Sequence, residues 1–254
     1  MLRDIAATNL FDFLLIFARL GTALMLFPAI GGALVAPRIR LLLALGVAFV
    51  IVPAVSPSLP RLPGDPLALL LLLGGEITIG FYFGVTMQLL MAAIDLAGNF
   101  MGYSVGLTNA LVSDPVTEQQ SQLISGFLNT ATVALLMITN THHLMFRAVI
   151  DSYSLFPPGA ALPMGDFSRQ LITTVGASFV VGLKIAAPLI IFALVFNTGL
   201  GLLNRLVPQM QVFFVGMPMQ ILGGFAAMSL SLAVMLYVYI RYFADSISAY
   251  IAPG

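Results

Sequence analysis

Residues 67–96 read LALLLLLGGEITIGFYFGVTMQLLMAAIDL, an apolar run whose only charged side chains are Glu76 and Asp95. A bilayer core about 30 Å thick is crossed by about 20 apolar residues of helix, so this run predicts a long transmembrane helix. Similar apolar runs recur along the whole chain. The six predicted spans are Asn9–Ala33, Ile39–Val55, Pro66–Gly102, Glu118–Ile150, Ser168–Leu203 and Gln209–Tyr242.

The third to sixth predicted spans are longer than one perpendicular crossing needs. Helices of this length must tilt, kink or project beyond the hydrocarbon layer. Proline-containing connections separate the spans, such as Phe156-Pro157-Pro158-Gly159 between the fourth and the fifth. The sequence therefore predicts an all-α, polytopic membrane protein of about six long, kinked helices.

The composition agrees with a membrane protein. Of the 254 residues, 60% are hydrophobic and 8% are charged, whereas a soluble domain carries roughly 25% charged residues. The apolar runs leave no stretch for a soluble domain, so we predict one integral membrane domain over residues 1–254. The net charge is zero and the basic residues are scattered, which argues against a nucleic-acid partner. The absence of cysteine excludes disulfides, thiol catalysis and iron-sulfur clusters.

Five ionisable residues lie inside the predicted spans: Asp12, Arg19, Glu76, Asp95 and Lys184. Each would cost roughly 2.5 to 3.5 kcal/mol at the centre of a lone helix, so each requires an explanation. They could form a proton or ion path, or they could form interhelical or intersubunit pairs. Asp12 and Arg19 are seven residues apart, too far to neutralise each other on one helix, so their partners are expected on other helices or chains.

Two features suggest chemistry at first sight. His142 and His143 are neighbours, but adjacent helical positions point about 100° apart, which argues against one shared metal ion. Ser104 lies in a glycine-rich stretch, but no base or paired carboxylate accompanies it as a protease would require. We therefore predict no enzyme, with no catalytic, cofactor-binding or metal-binding residues.

The segment between Asp95 and Gln122 is unusual for a membrane protein. Gly98, Gly102 and Gly106 repeat every four residues, a spacing that permits close helix packing. The residues that follow are too polar for lipid and too apolar for an ordinary loop. Such backbone is tolerated where protein or a water-filled cavity surrounds it, so the stretch is either a pore-facing loop or a plain surface turn. The candidate loop residues are Gly106, Leu107, Asn109, Leu111, Val112, Ser113, Asp114 and Pro115.

A second unusual segment, residues 204–225, combines prolines with methionine and phenylalanine. Such a stripe is most often ordinary packing, although methionine also makes adaptable contacts. The candidate gate or packing residues are Asn204, Arg205, Pro208, Gln209, Phe213, Phe214, Gly216, Met217 and Pro218.

These two segments together resemble the FliR family of flagellar export proteins and its virulence counterparts in type III secretion. The resemblance rests on NR-x-x-PQ-x-x-VFFVGMP at residues 204–218 and on the glycine run that leads into Ser113-Asp114-Pro115. The early patterns RxGTALMLFPAIGG and APRIRLLLALGVAF, at residues 19–32 and 36–49, extend it over essentially the whole chain.

The resemblance implies a subunit of the flagellar type III export gate, a channel for unfolded flagellar proteins, with a fold similar to a FliP–FliQ fusion. It implies FliP-like and FliQ-like partners, FlhB-like and FlhA-like export proteins, membrane lipid, and a place in the bacterial inner membrane at the flagellar basal body. It also places the family's plug at about Gly106 to Pro115. Two alternatives stay open: a virulence-type (injectisome) gate subunit, and an ion-coupled small-solute transporter that would use Glu76, Asp95 and Lys184.

Overall fold

The computed structural model describes residues 2–32, 35–106, 122–206 and 212–251. Within these ranges the chain forms helices and short connections and contains no β-strand, which confirms the predicted all-α class. The helices are α1 Leu2–Leu26, α2 Pro37–Val55, α3 Pro66–Val105, α4 Gln122–Ile138, α5 Thr141–Leu155, α6 Met164–Leu206 and α7 Val212–Ser248, with a 3-10 turn at Ser56–Ser58.

In the described part of the chain, five helices are long and apolar enough to cross a membrane, namely α1, α2, α3, α6 and α7. A sixth span results if α4 and α5 are counted together as one broken crossing. α3 has 40 residues and α6 has 43, so each is about 60 Å long or more at 1.5 Å per residue. Both therefore exceed the hydrocarbon thickness of a bilayer, as predicted.

The span predicted over Glu118–Ile150 is not one continuous helix, because α4 ends at Ile138 and α5 begins at Thr141. Asn140 adopts the left-handed conformation with φ of 57°, and its N–H donates to the carbonyl of Met137 at 3.2 Å. Asparagine tolerates this conformation better than most residues, so it can end one helix and begin the next without proline.

The first helix also ends earlier than predicted, at Leu26 instead of Ala33. Pro28 disfavours helical geometry at the residue before it, and Ala29 follows with φ of 68°. The Gly31 N–H then donates to the carbonyl of Phe27 at 2.7 Å, which closes a tight turn after the helix. This turn lies before the predicted second span, and α1 has 25 residues.

The chain divides into two compact units. Unit 1 comprises residues 1–90, 137–175 and 244–254, and its core is formed around the buried face of α1, with Leu15, Ile16 and Leu20 almost fully enclosed. Unit 2 comprises residues 91–136 and 176–243, and Ala97, Met101, Ile185, Leu189 and Tyr239 lie in its core. The prediction of one domain over residues 1–254 stays a prediction.

Two glycines permit close helix approach inside these units. A Cβ at Gly80 of α3 would collide with the carbonyl of Arg19 in α1, and a Cβ at Gly98 of α3 would collide with the backbone of Ser125 in α4. Backbones can come this close only where a side chain is missing. Gly98 belongs to the predicted glycine run, so that part of the pattern corresponds to a real helix contact.

Candidate functional site

Arg19 and Glu76 form a buried ion pair at the centre of unit 1. The Arg19 Nε donates to Glu76 Oε2 at 2.7 Å, and its second amino group donates to Oε1 at 3.0 Å. The two side chains are 0% and 1% exposed. Arginine presents a planar fork that matches a carboxylate in this bidentate manner. The pair therefore joins α1 to α3, residues 57 apart in the chain.

The same guanidinium also reaches α5 and the end that follows it. It donates to the Ser152 hydroxyl at 3.0 Å and to the carbonyl of Phe156 at 2.9 Å, and it lies 3.9 Å from the centroid of the Tyr153 ring. Burial of a charge is tolerated only when its hydrogen-bonding capacity is used. Here the guanidinium binds the Glu76 carboxylate, the Ser152 hydroxyl and the Phe156 carbonyl, and the Tyr153 ring faces it as well. No short-range motif points to Ser152, Tyr153 or Phe156, so sequence reasoning missed them.

Asp12, on the same helix as Arg19, finds a different partner. It is 5% exposed and accepts a hydrogen bond from the Ser56 hydroxyl, which lies directly after α2. The bond ties α1 to the connection between α2 and α3. As the seven-residue spacing predicted, neither Asp12 nor Arg19 neutralises the other.

Unit 2 contains a second group of polar contacts. Asp95 of α3 accepts a hydrogen bond from the Asn129 amide of α4 at 2.8 Å. The Tyr239 hydroxyl donates to the sulfur of Met91 at 3.0 Å, and Tyr239 is fully buried. These contacts join α3 to α4 and to α7. Asp95 is half-buried, and its described hydrogen-bond partner is the neutral amide of Asn129.

Lys184 differs from the other four charges in the predicted spans because its side chain is exposed. It lies on α6, and the described residues offer it no ion pair or hydrogen bond. The prediction that the five charges pair with other subunits stays a prediction. For Arg19 and Glu76 the structure provides an interhelical partner within the chain.

The candidate plug loop lies outside the described residues except for Gly106. Gly106 follows α3 with φ of 81°, and its N–H donates to the carbonyl of Tyr103 at 3.1 Å, which closes the helix. Gln220 of α7 is buried and its amide donates to the carbonyl of Ser104 at 3.0 Å. This contact satisfies a carbonyl that the helix end leaves free. Sequence reasoning missed Gln220.

The second candidate motif is described only in part. Asn204 and Arg205 are exposed at the end of α6, whereas Pro208 and Gln209 lie outside the described residues. Phe213, Phe214, Gly216, Met217 and Pro218 lie in the first turns of α7, and the side chains of the two phenylalanines are outside the description. Met217 is 44% exposed. No described contact assigns this motif a gating role.

The two features considered for chemistry have simple surroundings. The His142 and His143 rings tilt by 50° with centroids 4.2 Å apart, closer than their helical positions suggested. Two ligands are fewer than a zinc site uses, and among the described residues no third His, Cys, Asp or Glu completes a cluster. The Ser104 hydroxyl donates to the carbonyl of Phe100 at 2.8 Å in its own helix.

The sequence matches the family described as bacterial export proteins, family 1, over residues 10–246. It is similar to the flagellar biosynthetic protein FliR of Caulobacter vibrioides, with 34% identity over 232 residues that cover 89% of this chain and 90% of that protein. FliR of Escherichia coli is 32% identical over 188 residues, 73% of this chain and 72% of the relative. FliR of Bacillus subtilis is 28% identical over 232 residues, 90% of this chain and 88% of the relative.

Proposed function

Because the chain belongs to the FliR family of bacterial export proteins, we propose that it is a subunit of the gate through which flagellar proteins leave the cytoplasm in unfolded form. The family resemblance predicted from the sequence is confirmed by the match over residues 10–246. The chain is a membrane-embedded component of flagellar biosynthesis and protein export. The family match is the observation that carries the proposal.

The exposed surface of the helices supports a role inside a larger assembly. Within the apolar windows of α6 and α7, only 28% and 17% of the residues are buried inside the chain. Large apolar side chains such as Ile191, Val195 and Leu230 are more than half exposed. Lipid or neighbouring subunits must cover these faces, since apolar surface of this extent is not left in water.

We assign the neighbouring subunits by family. FliP-like and FliQ-like chains would complete the gate, FlhB-like and FlhA-like proteins would adjoin it, and the assembly would lie in the inner membrane at the flagellar basal body. Unfolded flagellar protein would be its cargo. No reaction on the cargo is proposed, and no cofactor is required.

Within this function the candidate sites keep the roles predicted for them. The loop from Gly106 to Pro115 is proposed as a plug, and its described end is fixed by Gln220 and the turn at Gly106. The segment from Asn204 to Pro218 is proposed to contribute to the wall around the passing chain. Met217, which is partly exposed, is an adaptable apolar side chain suited to varied contacts.

Complementation tests the proposal directly. The gene would be deleted from its flagellated host and replaced by a tagged copy, and secreted hook and filament proteins would be measured together with the subunits that co-purify. Restored flagellar secretion and a stable complex with FliP-like and FliQ-like chains are expected. Restored secretion of virulence effectors alone would indicate the injectisome alternative. Solute transport by the purified chain alone, without partner subunits, would indicate the transporter.

A further inference from the structure

Lys184 lies on a continuous exposed stripe of α6. The stripe, here called the Lys184 face, consists of Val180, Lys184, Pro188, Ile191, Val195 and Thr198, all exposed. Their spacing alternates mainly between three and four residues, so they lie along one side of the helix. The opposite side is packed inside unit 2, where Gly182, Ile185, Ala186 and Leu189 are buried.

Lys184 is the only charged residue of α6 between Arg169 and Arg205. It follows Arg169 by 15 residues and precedes Arg205 by 21, which correspond to about 22 Å and about 31 Å of helix. A hydrocarbon layer about 30 Å thick that is placed between the two arginines contains Lys184 or has it at its edge. Within the layer an ammonium requires a polar partner, because lipid tails cannot solvate it, whereas at the edge its long side chain can reach toward the headgroups.

Pro188, one turn after Lys184, leaves a backbone carbonyl without its hydrogen-bond donor. Proline has no N–H, so the carbonyl of Lys184, four residues earlier, loses its normal helical donor. Polar backbone groups in a bilayer must be satisfied by protein or by water. The Lys184 face therefore presents a cation and a freed acceptor within a surface that is otherwise mostly apolar.

We propose that the Lys184 face is the binding surface for one apolar helix of another gate subunit, and that this helix carries a carboxylate opposite Lys184. A hydroxyl or amide one turn away would donate to the freed carbonyl. The apolar side chains above and below, Val180 and Ile191, would pack along the partner, and Thr198 would lie at the end of the contact. The inference rests on the proposed function, because the partner helix comes from the assembled gate.

Charge complementarity favours a protein helix over the other possible neighbours of this face. A pure lipid surface offers an anion only at its headgroups, and its tails offer no donor to the carbonyl of Lys184 that Pro188 leaves free. A carboxylate held on a packed helix can pair with Lys184 and exclude water at the same time, and such pairs also determine which partner is accepted. The other neighbours become outcomes of the experiment below.

Photo-crosslinking identifies the partner. A photo-crosslinking amino acid would replace Ile191 in the complete gate, expressed with its FliP-like and FliQ-like subunits. We expect one dominant adduct with a single partner subunit, at a helix that contains a carboxylate. Adducts only with lipid, or only within this chain, would overturn the proposal.

Charge variants test the pairing itself. Lys184→Arg should assemble like the wild type, whereas Lys184→Met and Lys184→Glu should lower the recovery of the cross-linked partner about thirtyfold or more, as expected for loss of a desolvated charge pair. Changing the partner carboxylate to lysine should restore assembly of the Lys184→Glu variant. Arg169→Met, an exposed charge at the end of the same helix, is the matched control and should leave recovery unchanged.

The outcomes separate this inference from the proposed function. If the wild-type chain recovers no partner subunit, the proposed function fails. If the wild type assembles and Lys184→Glu assembles equally well, the function stands and the inference is wrong. Loss of a bound anionic lipid from Lys184→Met, with unchanged subunit composition in native mass spectrometry, would also overturn it.

Discussion

Replacement of Glu76 by glutamine tests whether the buried pair with Arg19 holds unit 1 together. The side chain keeps its size and one carbonyl oxygen, but the guanidinium loses its counter-ion in a site where both residues are at most 1% exposed. Hydrogen bonds from Arg19 to Ser152 and Phe156 remain possible. The substitution therefore removes the charge compensation with little change in packing.

The expected magnitude follows from comparing two kinds of loss. Removal of one interhelical hydrogen bond in a membrane protein costs about 0.6 kcal/mol on average, which is the expected effect of Ser152→Ala. Removal of one partner of a buried ion pair costs about 3 to 5 kcal/mol, because the remaining charge is left uncompensated. We therefore expect Glu76→Gln to lower the free energy of unfolding several times more than Ser152→Ala does.

The double variant Arg19→Met with Glu76→Met distinguishes a charge effect from a packing effect. Replacement of a whole buried pair by apolar side chains of similar volume is often neutral or stabilising. The double variant should therefore lose less stability than Glu76→Gln alone.

The free energy of unfolding of each variant is measured on the purified chain in mixed micelles. Sodium dodecyl sulfate is added stepwise, and the loss of helix is followed by circular dichroism. The reasoning is refuted if Glu76→Gln falls within about 1 kcal/mol of the wild type, the scale of a single hydrogen bond. The single variants Arg19→Met and Glu76→Met are measured in the same way. A loss of stability in the double variant that equals the sum of these two losses would refute the reasoning as well, because contacting residues should couple.

Three further predictions concern unit 2. Gln220→Ala should destabilise the end of α3 by about 1 kcal/mol because the carbonyl of Ser104 loses its donor, and faster hydrogen exchange confined to the last turn of α3 would show it. Gly98→Ala should cost about 1 to 3 kcal/mol by forcing α3 away from α4, whereas Gly126→Ala, which has open space at its Cβ, should be neutral or slightly stabilising in the same unfolding assay. Deletion of residues 107–115 should leave the gate assembled but raise its ion conductance in liposomes, and unchanged conductance would support a surface turn.

The sequence predicted the helical class because a transmembrane helix has a clear signature in twenty or so apolar residues. The third span was expected at Pro66–Gly102, and α3 extends over Pro66–Val105. The break between α4 and α5 was missed, because its deciding residue is Asn140 in a left-handed turn and no proline or glycine marks it. A helix boundary formed by one asparagine inside a polar–apolar mixture has almost no local signal.

The candidate site was predictable in kind but only partly in detail. Residue spacing showed that Asp12 and Arg19 require partners from elsewhere, and each has one. The identity of those partners depends on which helices are neighbours, and helical periodicity carries no information about that choice. Arg19 and Glu76 are 57 residues apart, and the Ser56 partner of Asp12 is 44 residues away. Contacts at that separation come from the packing of the helices.

The buried charges act on the stability of the folded chain, whereas the exposed charge of Lys184 acts on assembly. Arg19 and Glu76 satisfy each other inside unit 1, so their energy is available to the folded chain before any partner arrives. Lys184 has no such partner among the described residues, so its desolvation must be compensated by a group beyond them, and the proposed partner helix supplies one. Substitution of Glu76 should therefore lower the stability of the lone chain, whereas substitution of Lys184 should hardly change it. Substitution of Lys184 should instead lower the recovery of partner subunits, even when the chain is fully folded. A Lys184→Met chain that unfolds more easily than the wild type in micelles would contradict this division, because it would mean that Lys184 already has a stabilising partner within the chain.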